Sequence, residues 1–231
     1  MPNKADGYAT AAAITVCLAL GLILTALTAQ SVLSLRYAQI YLRQTQIDFV
    51  LRGVQVKASQ VLASASNAGR LEYRTNTSFG SVSVIGEREQ DKLPLSHGIA
   101  LADLKRLGVA EPNNLSARLI EASSQKRSPA DIEALDPSRL WKLCAPSLLS
   151  AFGTGKTLQL APPSPPQPSG SQLKLGEVWR LRARLPDGWT DDRTVRFIGN
   201  TNTQAATIWH RLIKQTGDIG QCDALQLGSK P

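Results

Sequence analysis

The chain has 231 residues, with 26 Lys and Arg against 18 Asp and Glu and a formal net charge of +8. That length excludes a bare membrane peptide and leaves room for one or two small domains. The basic excess does not read as a nucleic-acid surface, because the cations are scattered and no aromatic stacking platforms are interleaved with them.

Gly7 to Leu35 is a run of 29 uncharged residues rich in Ala, Leu, Ile and Thr. A helix rises about 1.5 Å per residue, so roughly 20 of these positions cross a hydrocarbon core about 30 Å thick. The run is read as a transmembrane helix. A cleaved secretory signal is one alternative, with Lys4 as its basic region and Ala11 to Leu24 as its apolar core, but Ala26-Leu27-Thr28-Ala29 makes a poor cleavage site. A plain anchor is the other. Lys4 on one flank and Arg36 and Arg43 on the other lean weakly against a cytoplasmic N-terminus. A seven-residue tail is still more readily left behind than translocated, so the tail is placed inside and the polar bulk outside.

No breaker separates this run from Arg36 to about Ser64, where apolar residues return at helical spacing. Leu42, Phe49 and Val56 form one seven-residue series, and Ile47, Val54 and Val61 form another, while Arg43, Gln46, Arg52 and Lys57 stay wet. The expectation is one helix of about 55 residues, half in lipid and half packed, far longer than a globular helix.

Leu71 to Arg74 and Phe79 to Ile85 alternate as strands, with Thr75-Asn76-Thr77 as the turn of a hairpin. From Ile99 to Phe152 the pattern turns helical. Gly108 closes Ala100 to Leu107; Ser128-Pro129-Ala130-Asp131 offers a cap, a first-turn Pro and an acidic third position; Asp136-Pro137 repeats the device before Leu140. Ala161 to Ser171, with five prolines, reads as an extended linker. Val178 to Leu185 then alternates strictly, Pro186-Asp187-Gly188 turns, and Thr194 to Ile198 returns. Arg180, Arg182 and Arg184 share one strand face and are read as solvated. Ala205 to Lys214 fits a third strand or a short helix. The fold class is therefore α+β: a long N-terminal helix, strands, a helical insertion, strands.

Cys17 lies in the membrane run, whereas Cys144 and Cys222 fall in the polar part, where they are either a disulfide or two buried thiols. Phe152-Gly153-Thr154-Gly155-Lys156-Thr157 ends like a phosphate-binding loop, but Ser150 stands where the first Gly is needed and Leu158 to Pro162 cannot open the required helix. His97 and His210 have no neighbour at metal-ligand spacing. Asp187, Asp191 and Asp192 are the one cluster with the chemistry of a hard-cation site, though turn aspartates usually bond local backbone. No nucleophile and base, and no paired carboxylates, stand out. The reading is a non-enzyme with no cofactor and no resident metal.

The Asp6-Gly7-Tyr8 junction resembles a prepilin peptidase site, and with the helix that follows and a small α+β head the chain resembles the type IV pilin-like proteins. Within them it is most similar to the minor pseudopilin K family of type II secretion systems, also called general secretion pathway protein K. The residues that carry this are Gly80-Ser81-Val82-Ser83-Val84, then Glu87 to Leu95, and Gly176 to Ala183; Leu95-Ser96-His97-Gly98 departs from the family's Asn-rich motif. The resemblance implies a leader, 1–7, removed after Gly7 with N-methylation of Tyr8. It implies a helix over 8–64, transmembrane over 8–35, and a pilin-like head from 65–98 and 172–231. Between these would lie the insertion, 99–160, and the linker, 161–171. It also places Ala12 where most pilins carry the Glu that meets a neighbouring subunit's N-terminal amine, as in a tip subunit with none above it. The implied role is a tip subunit that helps initiate the pseudopilus for protein export. It would sit in the inner membrane with its head in the periplasm. Leu42, Phe49, Val54 and Val61 would pack on other minor pseudopilins, and the head would meet secreted cargo. The alternatives are a minor pilin of a type IV pilus and a single-pass anchored periplasmic binding domain or cell-envelope enzyme.

Overall fold

The computed structural model describes residues 4–64, 70–122, 128–156, 158, 175–198, 205–214 and 222, so the expected linker, 161–171, lies outside the described residues. The chain divides into two compact units, residues 1–47 and 48–231. One helix, α1 (Lys4–Ser64), supplies the first unit and enters the second. It begins before the expected residue 8 and ends where the apolar periodicity ends.

In the first unit the side chains from Ala12 to Gln44 are all exposed. The apolar part reaches a mean hydropathy of 2.3 over 18 residues, which makes α1 long and apolar enough to cross a membrane. Several of its hydroxyls bond within the helix: Thr15 Oγ1 donates to Ala12 O at 2.8 Å, Thr25 to Leu22 O at 2.8 Å and Ser34 to Ser31 O at 2.8 Å. Lipid offers no water to such groups, so this internal bonding is what allows Thr and Ser to sit in an apolar span.

The second unit is built on a five-stranded antiparallel sheet in the order β1-β2-β5-β6-β7. The strands are β1 (Arg70–Thr77), β2 (Gly80–Arg88), β5 (Val178–Arg184), β6 (Trp189–Phe197) and β7 (Ala205–Lys214). The first hairpin differs locally from the sequence reading, and one of the two states open for residues 205–214 is realised. Thr75 to Thr77 are strand, paired with Val82 to Gly80, and the turn falls on Ser78 and Phe79; Gly80, at φ 108°, supplies the left-handed backbone that closes it. Residues 205–214 are strand rather than helix, because β6 offers them a full ladder of partners.

Residues 48–64 of α1 lie on one sheet face. Leu51, Val54, Gln55, Ala58, Ser59 and Leu62 are buried, a spacing of three and four that forms one stripe. Gln55 Nε2 donates to Leu181 O at 3.2 Å and to Asp191 O at 2.9 Å, which pins the stripe across β5 and β6. Gly86 lets the helix close in, since a Cβ there would stand 3.2 Å from Leu181 and 3.5 Å from Leu62.

Between β2 and β5 the chain leaves the sheet and returns beside its own departure point, with Glu87 opposite Arg180. This insertion holds β3 (Leu93–Pro94), α2 (Leu101–Arg106), α3 (Pro112–Ala122), α4 (Pro129–Glu133), α5 (Arg139–Leu148) and β4 (Leu149–Ser150), the last parallel to β3. The Ser128 cap forms as a full capping box with Asp131. The second expected cap shifts: Ser138, extended just before α5, receives the Trp141 N–H, while Asp136 Oδ1 accepts from Ser138 N at 2.8 Å. Leu104, Leu107, Ile132, Trp141 and Leu148 are fully buried in the insertion's own core, and Trp141 Nε1 donates to Ile132 O at 2.8 Å.

Candidate functional site

The two apolar series of α1 have different fates. Leu42, Phe49 and Val56 are 58%, 67% and 59% exposed, whereas Val54 is 6% exposed and Val61 half-buried. Val54 is therefore not available for intermolecular packing, because its own sheet covers it. Helical periodicity alone yields both series and does not say which one the sheet takes. Leu42, Phe49 and Val56 remain as an uncovered apolar row. Gly7 and Tyr8 lie within helical backbone, and Ala12 is exposed.

The opposite sheet face is ionic and covered. Arg180 and Arg182, expected to be solvated, are 2% and 4% exposed beneath the insertion, while Arg184 is half-buried. Arg182 donates to Glu87 at 2.6 Å and to Ser147 Oγ at 2.8 Å; Lys92 reaches Glu87 at 3.1 Å, Glu89 at 2.5 Å and Pro146 O at 2.8 Å. Arg180 grips both oxygens of Asp192, and Arg211 grips both oxygens of Glu133 at 2.7 Å. Four cations thus meet four carboxylates, and the layer is neutral. Burial by itself would raise the Glu87 carboxyl, but Arg182, Lys92 and Arg180 outweigh it and hold it at about 2. Asp192 is likewise lowered, against its burial, by Arg180. Lys92, Glu89, Glu133 and Arg211 escaped the sequence reading. The available signal was the opposite charge across the β5–β6 hairpin, where Arg182 stands opposite Asp192.

A second cluster lies on the helix-covered face. His210 Nε2 is 2.8 Å from Asp191 Oδ1 and 3.9 Å from Asp48 Oδ1; Arg193 bonds Asp191 at 2.9 Å and Arg52 bonds Asp48 at 2.9 Å. Burial raises the Asp191 carboxyl, and Arg193 and His210 beside it only partly offset this. Adjacent strand residues point to opposite faces, so Asp191 joins this cluster while Asp192 joins the ionic layer. Asp187 is exposed at the turn, and the three expected aspartates do not converge. Among the described residues no group of His, Cys, Asp and Glu is arranged to hold a metal ion. His97 is exposed in a connection, its N–H donating to Pro94 O at 2.9 Å.

The glycine loop has a structural use. Gly153 and Gly155 let this segment lie directly on the backbone of Asp91 and Lys92, where any Cβ would collide with carbonyl oxygens. Thr154 N–H donates to Gln90 O at 2.8 Å and Gly155 N–H to Lys92 O at 3.0 Å, so these donors are not turned toward a phosphate. Of the two states open for Cys144 and Cys222, the structure has the disulfide, with Cα atoms 5.4 Å apart, and Cys17 is a free thiol. No family model, no curated protein and no solved structure matches this chain.

Proposed function

We propose that this chain is a minor pseudopilin of a type II secretion system, a non-enzymatic tip subunit that helps initiate the pseudopilus. One observation carries the reading: a single unbroken helix presents an apolar span and then buries a three-and-four stripe on an antiparallel sheet. A filament subunit needs this design, because the apolar half must leave the bilayer attached to a rigid head. The insertion between β2 and β5 agrees with the pseudopilin K type of head. In this reading the helix anchors in the inner membrane, the head lies in the periplasm, and the uncovered row of Leu42, Phe49 and Val56 packs on other minor pseudopilins. Ala12 suits a subunit with none above it. A carboxylate there would enter lipid at a cost of about 2.5–3.5 kcal/mol unless an amine met it.

Leader processing tests the reading. Co-expression with a prepilin peptidase is expected to remove residues 1–7 and leave a methylated Tyr8 as the first residue, read as the mass of the membrane-extracted protein. Gly7→Val is expected to block the cut. An intact Met1 mass beside an active peptidase overturns the pilin-like reading and leaves a plain anchored domain.

A further inference from the structure

A cleft of about 480 Å³ opens on the head between α4, the loop after β4 and the β6–β7 side of the sheet. Its apolar wall includes Ile132, Phe152, Ile208 and Trp209, and it is also lined by Thr194 and Arg196. A break in strand register builds this wall. Thr194 stands opposite Trp209 and Val195 opposite Thr207, which leaves Ile208 as an extra residue on β7. Consecutive strand residues ordinarily face opposite ways; the bulge re-aims one of them, so Ile208 and Trp209 both line the cleft.

The charges around the cleft are not equivalent. Glu89 is bound by Lys92, and Asp131 accepts from both the N–H and the hydroxyl of Ser128 at 2.8 Å. Both acids are thus satisfied. Arg196 pairs with no carboxylate among the described residues; its guanidinium lies 5.8 Å from the Phe152 ring centroid, and its Nε is buried without a hydrogen-bond partner. Thr194 is 2% exposed, and its Oγ1 is also buried without a partner. Buried donors without acceptors are destabilising, and an incoming acceptor relieves them. The cleft therefore presents an unmatched cation and an unmatched hydroxyl beside an aromatic wall.

We propose that this cleft binds an extended peptide segment of a partner protein in which a Glu or Asp stands next to an aromatic or branched aliphatic side chain. The carboxylate meets Arg196 and the Thr194 hydroxyl, a charge-assisted contact. The apolar neighbour packs on Phe152, Ile208 and Trp209. An extended main chain is favoured because, among the described residues, β7 ends the sheet order and offers an edge for strand addition beside the cleft. Ala206, opposite Arg196 in register, puts only a methyl group between that edge and the guanidinium. The proposal concerns the head alone and does not depend on filament assembly.

The test uses the full chain in detergent micelles and fluorescent, end-capped heptapeptides with a central Glu between Phe and Ile, read by anisotropy. The same peptide with central Gln or Lys is the comparison. The Glu peptide is expected to bind at least tenfold more tightly than the Gln peptide, with the Lys peptide weakest. Arg196→Gln should erase the Glu preference and leave the Gln peptide's affinity unchanged, while Phe152→Ala should weaken both. Arg196→Met, which keeps an aliphatic stem on Phe152, is the second variant should the Gln variant unfold, and should lose the same preference. Arg74→Gln, an exposed cation on β1 outside the cleft, should keep it. No binding at millimolar peptide, equal binding of the Glu and Gln peptides, a preference that survives loss of Arg196, or one lost with Arg74 overturns the proposal.

Discussion

Glu87 sits 3% exposed between Arg182 and Lys92, and its carboxyl is held at about 2 against an ordinary value of 4.5. Removing its charge leaves the buried Arg182 without a carboxylate and Lys92 with Glu89 alone, so Glu87→Gln is expected to destabilise the head by about 3–5 kcal/mol, read as a lowered denaturant midpoint. The sign of the pH effect follows from the direction of the shift. A carboxyl that binds its proton less readily when folded contributes stability above the ordinary carboxylate range, and that contribution is lost as pH falls from about 4.5 toward 2. Asp192 acts in the same direction, whereas Asp191, raised by burial, opposes it. The wild-type midpoint is expected to fall over this window, and E87Q should fall less steeply. A parallel slope in the two proteins would remove Glu87 from the account. Little of this was legible in the sequence, where Arg180 and Arg182 look like any alternating polar strand face and only the opposite charge of Asp192 across the hairpin points to pairing.

At the scale of the element, α1 carries two apolar rows with different duties. Leu51, Val54, Ala58 and Leu62 hold the helix to its own sheet, while Phe49 and Val56 cover nothing within the head. Val54→Asp is expected to destabilise the head strongly, since it buries an unpaired charge, and to lower the thermal midpoint. Phe49→Asp is a surface change and should stay within about 0.5 kcal/mol of wild type. Under the proposed function it should nonetheless abolish co-purification with other minor pseudopilins. An F49D protein that folds and still co-purifies would end the assembly role given to this row. The seven-residue spacing of both rows was readable, because it depends only on the pitch of the helix. Their division was not, because it depends on where the sheet stands.

For the whole molecule, the Cys144–Cys222 bridge closes a sequence separation of 78 residues and ties α5 to the chain beyond β7. A closure of that size contributes on the order of 2–5 kcal/mol, mostly by restricting the unfolded chain. Thiol counting in denaturant is expected to find one thiol, from Cys17, without reductant and three after reduction. Three thiols in a natively exported, unreduced sample would rule the bridge out. The double Ser variant should show a lower thermal midpoint while keeping its helix content, because the sheet and the insertion core do not need the bridge to form locally.

The sequence by itself determined the long helix, the hairpin strands and the Ser128 cap, because each rests on short-range chemistry: hydropathy over one span, period-two alternation, a hydroxyl three residues from an N–H. Tertiary structure decided the rest. The burial of Arg180 and Arg182 required carboxylates from β2, α4 and β6, and a layer of helices to exclude water. The strand state of residues 205–214 required β6 as a template, and the pairing of Asp191 with His210 required β7 to stand beside β6. In each case the deciding partner is far away in the chain, so no local pattern contains it.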